Sequence, residues 1–336
     1  MRKLAAAALP ALGMLLLIID SKTALRGALD GITMCLQTVI PALFPFFILS
    51  ILLSTSLLGI HLPMLKLVNR ICRCPEGSEG LFLTGILGGY PTGAQAVDLA
   101  FERGSVAKSD AIRMLGFCSN AGPAFLFGIV AVKFDSPMVA AILWIIHIFS
   151  AMATGFLLPG TCTGTRVQLC HQSMSISDAV DRSVKIMARV CGWIILFRII
   201  IAFLEHWFLW LLPTTLQIII SGLLELTNGC CRLHEIESDV LRMIVASILL
   251  NLGGLCVAMQ TASVTHHVGL GMYFPGKILQ SLISIIITAL LGTIIYGLEK
   301  QHLALLLSAC ILGIGMMLIL LKKRENRCSI PTAIRV

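Results

Sequence analysis

The sequence predicts an all-α polytopic membrane protein, an inverted-repeat, transporter-like fold with two re-entrant or broken helical hairpins. Of its 336 residues, 57% are hydrophobic and 12% are charged, whereas soluble domains have about 25% charged residues. The mean hydropathy is +0.94. Apolar segments of membrane-spanning length recur along the whole chain, and two further apolar segments are interrupted near their middle by glycine and polar residues.

Seven apolar segments have roughly the length that a membrane span requires. The first follows a basic start, "MRK", and is short, so a cleaved signal peptide is an alternative to a retained helix. Because several spans follow it, we expect the helix to be retained. The segments lie at about 4–20, 32–60, 111–133, 137–159, 186–212, 273–297 and 302–321.

The remaining chain contains no stretch long enough for a soluble domain. The hydrophilic connections at 61–80, 102–110 and 161–182 are short. The segment 214–233 is apolar but ends in polar residues, and whether it crosses the membrane stays open. We therefore predict a single membrane domain over residues 1–336.

Two internal similarities predict a repeat. Residues 28–49 align with 179–200 at an offset of 151, and 88–95 ("GGYPTGAQ") align with 253–260 ("GGLCVAMQ") at an offset of 165. Two matches in the same order indicate duplication. The predicted units are a first repeat at 24–160 with a broken hairpin at about 81–101, a second repeat at 178–297 with a broken hairpin at about 239–268, and an extra C-terminal span at 302–321.

Counting spans from a cytoplasmic Met1 places the two broken segments on opposite faces of the membrane, as in inverted-repeat transporters. This count leaves the basic tail at 322–327 outside, against the tendency of basic loops to stay in the cytoplasm. A crossing by 214–233 would move the tail inside but would remove the inversion. The side of the tail stays open.

The interruptions predict a binding site at mid-membrane. Unpaired backbone groups are costly in hydrocarbon, so a broken helix persists only inside protein or beside a polar cavity. A half-helix that starts there presents free N–H groups and about half a unit of positive charge, which suits an anion. Close helix packing is the alternative use of such residues. The candidate residues are Gly88, Gly89, Tyr90, Pro91, Thr92, Gly93 and Gln95 in the first break, Ser119, Asn120, Gly122 and Pro123 in the second, and Gly253, Gly254 and Gln260 in the third.

Ionisable residues inside apolar runs are a second indication of function. Glu225, beside Thr227 and Asn228, is predicted to contact substrate and could carry a proton or help hold a cation. Its alternative role is a carboxylate near the interface that caps the next turn. Arg113 and Arg198 could each attract an anion or form an ion pair. His266 and His267 are adjacent and point to opposite sides of a helix, which favours an interfacial position over metal binding.

The sequence lacks the motifs of several other classes of function. The two glycines at phosphate-loop spacing, Gly88 and Gly93, are not followed by Lys-Ser/Thr. The 12 cysteines contain no CxxC pair, so packing in the reduced state is favoured over metal binding. The net charge of +8 lies mostly in short loops and at the ends, which favours a cytoplasmic face over nucleic-acid binding. We expect that the protein is not an enzyme and that it binds no cofactor, metal or nucleic acid.

Five motifs resemble the YlbJ family of sporulation integral membrane proteins, also called SpoVV: "GGYPTGAQ", "SNAGPAFLFG", "DAVDRSVKIM…GWIILFRI", "GLLELTNG" and "GGLCVAMQ". The resemblance runs in order from about 24 to 297. The family belongs to the gate-domain, or nucleoside recognition, group. Family members often carry Ser at the position of Gly89, Val at that of Thr92 and Asn at that of Ser119.

The resemblance implies a transporter in the outer forespore membrane, derived from the mother cell, that moves dipicolinic acid toward the forespore. Dipicolinate is a small aromatic dianion, which suits the predicted cradle. Two alternatives are a symporter of nucleosides or other neutral solutes with the same fold, and a non-transporting membrane component. The expected partners are an anionic small molecule and the bilayer, and a homo-oligomer is left open.

Overall fold

The computed structural model describes residues 2–57, 63–134, 137–160 and 174–296, with 311, 312, 314–316 and 319. Within these ranges the chain forms helices and no strands. Six helical segments are long and apolar enough to cross a membrane: Ser21–Leu53, Lys108–Lys133, Met138–Leu157, Ile176–Trp207, Asp239–Ala262 and Tyr273–Gly292. The prediction of an all-α polytopic membrane protein is confirmed. The predicted span at 302–321 lies largely outside the described residues.

The N-terminal helices form one side of the bundle. They are α1 (Arg2–Ile19), α2 (Ser21–Met34), α3 (Ile40–Leu57) and α4 (Pro63–Cys72), and a π-helical turn at Cys35–Val39 joins α2 to α3. Asp20 caps α2 by accepting a hydrogen bond from the N–H of Thr23. Large apolar side chains such as Ile18 and Leu49 are exposed on this side, as expected of a surface that faces lipid.

A helical hairpin and an interrupted helix follow. The hairpin consists of α5 (Glu79–Gly88) and α6 (Thr92–Glu102), which pack against each other. Between them Gly89 has a φ of 71° and the Tyr90–Pro91 peptide bond is cis. The interrupted helix consists of α7 (Lys108–Cys118) and α8 (Pro123–Phe125), and α8 continues as π and 3-10 turns to Lys133. Pro123 at the first position of α8 has the φ that a helix start requires.

The second half has the same order of elements. After α9 (Pro137–Leu157) and the long α10 (Ile176–Trp207) come α11 (Thr214–Leu224) and α12 (Leu226–Cys231), which pack against each other as a second hairpin. An interrupted helix follows, made of α13 (Asp239–Leu252) and α14 (Gly254–Ala262), and then the long α15 (Tyr273–Tyr296). Gly253, with a φ of 72°, occupies the left-handed conformation that ends α13.

The order of hairpin, interrupted helix and long helix therefore occurs twice. Helices α5, α7, α8 and α9 begin at 79, 108, 123 and 137, and their counterparts α11, α13, α14 and α15 begin at 214, 239, 254 and 273. Corresponding helices are thus 131 to 136 residues apart. The two sets of helices therefore follow the same order at a nearly constant spacing.

This correspondence differs from the predicted alignment of 88–95 with 253–260. In the structure the counterpart of the "GGYPTGAQ" turn is the tip at Glu225 between α11 and α12. The predicted broken hairpin at 239–268 does contain a break, but α13 packs mainly on α15 whereas α14 packs on α10 and α11. The predicted alignment rested on two glycines and a glutamine, which matched helix α14 instead of the hairpin.

Helix α10 packs along α2 and α3, and these are the segments that the sequence analysis aligned at an offset of 151. Small residues permit a close approach there. A Cβ added at Gly27 would lie 2.8 Å from the Cβ of Ala202, and one added at Gly31 would lie 3.0 Å from the Cα of Ile195. Such glycine contacts are typical of helix packing in membranes. This packing fixes one wall of the cavity described below.

Candidate functional site

Both hairpin tips and the α7/α8 break surround one cavity. Its wall includes the tip of the first hairpin at Leu87–Tyr90, the α7/α8 break at Ala121 and Gly122, the tip of the second hairpin at Glu225–Thr227, and Val257 and Gln260 of α14. Apolar residues of α3 and α10 complete the wall. The space beside these residues that is free of protein atoms is about 540 Å³, which includes space open to the surroundings, and about 50 Å³ of it admits the centre of a water molecule.

The first hairpin tip lies against the α7/α8 break with no side chain between them. A Cβ added at Gly89 would lie 2.9 Å from the backbone N of Gly122, and one added at Gly122 would lie 3.1 Å from the Cα of Gly89. The φ of 71° at Gly89 also disfavours any other residue. The Thr92 hydroxyl donates to the Gly89 carbonyl at 2.8 Å and so closes the turn. Glycine is therefore required at this junction for both space and conformation.

Glu225 caps the second hairpin at its tip. Its carboxylate accepts hydrogen bonds from the N–H groups of Thr227 (3.0 Å) and Asn228 (2.8 Å) and from the side-chain amide of Asn228 (2.8 Å). Glu225 is only 2% exposed. The carboxylate thus occupies the positive end of α12, where a free anion would otherwise bind. Glu225 is therefore both a helix cap and a residue of the cavity wall.

Tyr90 connects the first hairpin to the second half of the chain. Its hydroxyl donates to the Leu250 carbonyl near the end of α13 at 3.2 Å. A Cβ added at Gly253 would lie 3.3 Å from the Tyr90 hydroxyl. The aromatic ring therefore fills the space between the first hairpin tip and the α13/α14 break. It also forms part of the cavity wall.

Behind the α7/α8 break lies a network of buried polar side chains. Asn120 donates to the Phe117 carbonyl at 2.7 Å and accepts from the Gln280 amide at 3.0 Å. His147 Nε2 accepts from the N–H of Ala121 at 3.0 Å. Asn120, His147 and Gln280 are all completely buried. These bonds satisfy backbone groups that the interruption of the helix leaves unpaired.

The structure brings part of the predicted set to the cavity wall: Gly88, Gly89, Tyr90, Gly122, Glu225, Thr227 and Gln260. The others lie in adjacent turns. The start of α6 contains Pro91, Thr92 and Gly93, and Gln95 is half-buried in its first turn. Behind the α7/α8 break lie Ser119 and Asn120, and Pro123 is the first residue of α8. Asn228 donates to Glu225, and the α13/α14 break consists of Gly253 and Gly254.

Arg113 binds backbone carbonyls at two helix ends. Its guanidinium donates to the carbonyls of Cys72 and Arg73 at the end of α4, and to those of Gly155 (2.6 Å) and Leu158 (3.4 Å) at the end of α9. A cation at the negative ends of two helices is electrostatically favourable. Arg113 therefore has a structural role and is not part of the cavity wall.

Arg198 and the histidine pair have partners outside the cavity. Arg198 forms ion pairs with Asp30 (3.0 Å) and Glu205 (2.8 Å), which is the ion-pair alternative of the sequence analysis. The backbone N–H groups of His266 and His267 donate to the Asp98 carboxylate at 3.1 and 2.9 Å. In the part of the chain that the structure describes, no three His, Cys, Asp or Glu side chains are placed to hold a metal ion.

Four buried polar side chains around the α7/α8 break or between α9, α13 and α15 were not predicted from the sequence: Lys277, His147, Gln280 and Asn251. The available signal was a polar or ionisable residue inside a predicted span. Lys277 and Gln280 are three residues apart in the segment 273–297, whose average is strongly apolar. The high mean hydropathy of the whole segment hid these two polar positions from a reading based on averages.

The chain is similar to the sporulation integral membrane protein YlbJ of Bacillus subtilis, with 25% identity over an alignment of 317 residues that covers 79% of this chain and 77% of that protein. This similarity confirms the resemblance to the YlbJ family. No protein-family profile matches the chain. No solved structure gives a significant match.

Proposed function

From the YlbJ family resemblance, we propose that the protein is a sporulation membrane transporter that moves dipicolinic acid from the mother cell toward the forespore. In this proposal it resides in the outer forespore membrane and carries its substrate without chemical change. The similarity to a sporulation integral membrane protein supports the cellular setting. The cavity between the two hairpin tips supports transport.

The observation that carries the proposal is the meeting of three chain interruptions, both hairpin tips and the α7/α8 break, at one cavity. In a bilayer, broken helices are stable only where protein or water satisfies their backbone. Transporters of several folds place substrate at such breaks near the membrane centre. Helix α6 begins at Thr92, two residues after the wall residue Tyr90, so the positive end of its dipole lies near the cavity and favours a carboxylate.

The wall of the cavity also suits an aromatic ring. Its apolar part comes from Val39, Leu43, Phe46, Phe47 and Val190, among other residues. Ligand sites typically combine such a lining with a few polar groups that fix orientation. An aromatic dicarboxylate presents the matching pattern of a flat apolar ring with charged ends.

A neutral-solute symporter is the second candidate, and Glu225 is the observation that favours it. A buried carboxylate on the cavity wall opposes a second negative charge nearby. Together with Thr227 and Gln260 it could hydrogen-bond the hydroxyl groups of a neutral molecule. Two N–H groups of α12 donate to the Glu225 carboxylate and partly offset its negative charge. This reduces its repulsion of an anionic substrate, so we prefer the anion.

Uptake of radiolabelled dipicolinate into proteoliposomes tests the proposed function. The wild-type protein should accumulate label above empty vesicles. Replacing Val257, on the cavity wall, by phenylalanine should abolish uptake because the larger ring occupies the cavity.

The matched control is Val132→Phe. Val132 is 69% exposed on the outer surface, so this variant should transport like the wild type. Wild-type uptake equal to that of empty vesicles would reject dipicolinate transport. Uptake of radiolabelled uridine that excess dipicolinate does not reduce would favour the neutral-solute symporter.

A further inference from the structure

Lys277 is a lysine buried in a membrane-spanning helix. It lies in the second turn of α15 and is only 1% exposed. Its ammonium donates to the Ser119 carbonyl in the α7/α8 break and to the Gln280 side-chain oxygen at 2.8 Å. Nζ also lies 5.3 Å from the centre of the Tyr90 ring. Lys277 therefore contacts both the helix break and the first hairpin tip.

These contacts satisfy hydrogen bonds but do not neutralise the charge. Within the described ranges, no carboxylate oxygen lies within 4.0 Å of the Lys277 ammonium, whereas Arg198, Arg232 and Arg242 each have such a partner. A buried charge without a counter-ion is strongly unfavourable. Ionisable residues inside the membrane usually mark a substrate or ion pathway.

Lys277 lies close to the cavity, just behind its wall. Tyr90 separates the ammonium from the cavity and belongs to its wall. Ser119, which accepts from the ammonium, is two residues before Ala121, another wall residue. An anion in the cavity would thus be within one side-chain layer of the cation. In surroundings of low dielectric, an ammonium and an anion separated by one side chain attract each other appreciably.

We propose that Lys277 is a specificity-determining residue whose charge makes the cavity select dicarboxylates over uncharged molecules of the same shape. This inference rests on the proposed function, since it assumes that the cavity binds the substrate. Lys277 acts through the Tyr90 ring and the α7/α8 break. The bound dicarboxylate supplies the negative charge that the surroundings of Lys277 lack.

Binding of two ligands to the full chain in lipid nanodiscs tests this role. Pyridine-2,6-dicarboxylate carries two negative charges, and pyridine-2,6-dicarboxamide has nearly the same shape and no charge. Wild-type protein should prefer the dicarboxylate. Lys277→Gln removes the charge but keeps a donor for the Ser119 carbonyl, and it should reduce that preference at least about tenfold while leaving the affinity for the dicarboxamide nearly unchanged.

Two control variants complete the comparison. Lys277→Arg keeps the charge and should retain the preference for the dicarboxylate. Lys108→Met removes an exposed lysine at the start of α7 and should change neither affinity. A Lys277→Gln variant that keeps the wild-type preference, or that loses both ligands equally, would overturn the role in selectivity and leave the proposed transport intact. Wild-type protein that binds no dicarboxylate would overturn both.

A measurement on the wild-type protein covers the case in which Lys277→Gln does not fold. Solid-state NMR can record the ¹⁵Nζ chemical shifts of labelled lysines with and without pyridine-2,6-dicarboxylate. Because the Tyr90 ring lies between Lys277 and the cavity, the proposal expects a change in the ¹⁵Nζ chemical shift of one lysine on binding of the dicarboxylate and no such change with the dicarboxamide. Lys277→Arg should lack the resonance that changes, and Lys108→Met should retain it. Bound dicarboxylate that leaves every lysine ¹⁵Nζ shift unchanged would overturn the proposal.

Discussion

Replacing Gly85 by alanine is expected to prevent the protein from folding to its native state. A Cβ at this position of α5 would overlap the carbonyl oxygen of Cys118, the last residue of α7. The clash involves two backbones, so side-chain rotation cannot relieve it. We expect a loss of more than about 4 kcal/mol in the free energy of unfolding. Fluorescence-detected size-exclusion chromatography after heating should show no monodisperse peak for this variant, or a peak that is lost at a much lower temperature than in the wild type.

Gly192→Ala is the matched control for this substitution. Gly192 lies within α10, and a Cβ added there would have no atom within 4 Å. The same chemical change should therefore alter stability by no more than about 1 kcal/mol, in the stabilising direction. If Gly85→Ala is as stable as Gly192→Ala, the contact between the first hairpin and α7 is not as described.

Replacing Arg113 by methionine is expected to lower the free energy of unfolding by at least about 3 kcal/mol. The substitution removes charge-assisted hydrogen bonds to the ends of both α4 and α9 and the contact of the guanidinium with the Phe117 ring at 5.7 Å. The carbonyls that lose their donor lie in a buried region. Thermal unfolding in detergent measures the change.

Arg103→Met is the control, because Arg103 is exposed after the end of α6. Its stability should stay within about 0.5 kcal/mol of the wild type. If the Arg113 variant were equally stable but no longer transported dipicolinate, Arg113 would act on the substrate, as one alternative of the sequence analysis held. The structural role would then be wrong.

Local sequence patterns were sufficient for the membrane fold and for much of the cavity. Runs of apolar residues predicted the spans because burial in lipid depends on composition alone. Glycine and proline near the middle of a run predicted the breaks at Gly89 and Gly122, since backbone conformation there depends on a few adjacent residues. In the structure, Gly89 and Gly122 of these breaks lie on the cavity wall.

The partners of these elements could not be predicted from local patterns. The second hairpin was missed because its two short helices, α11 and α12, read as one apolar segment with a polar end. Its turn is formed by Glu225, which caps α12 with its own side chain and so needs no glycine. Lys277 was missed because its significance depends on contacts with Ser119 and Tyr90, more than 150 residues away in sequence.

The most direct test is an electron cryomicroscopy structure of the protein in lipid nanodiscs with saturating dipicolinate. Our account predicts density for the ligand between Gly89, Gly122 and Glu225, with its ring against the apolar wall. Density at another site, or hairpin tips separated by lipid with no ligand between them, would contradict it.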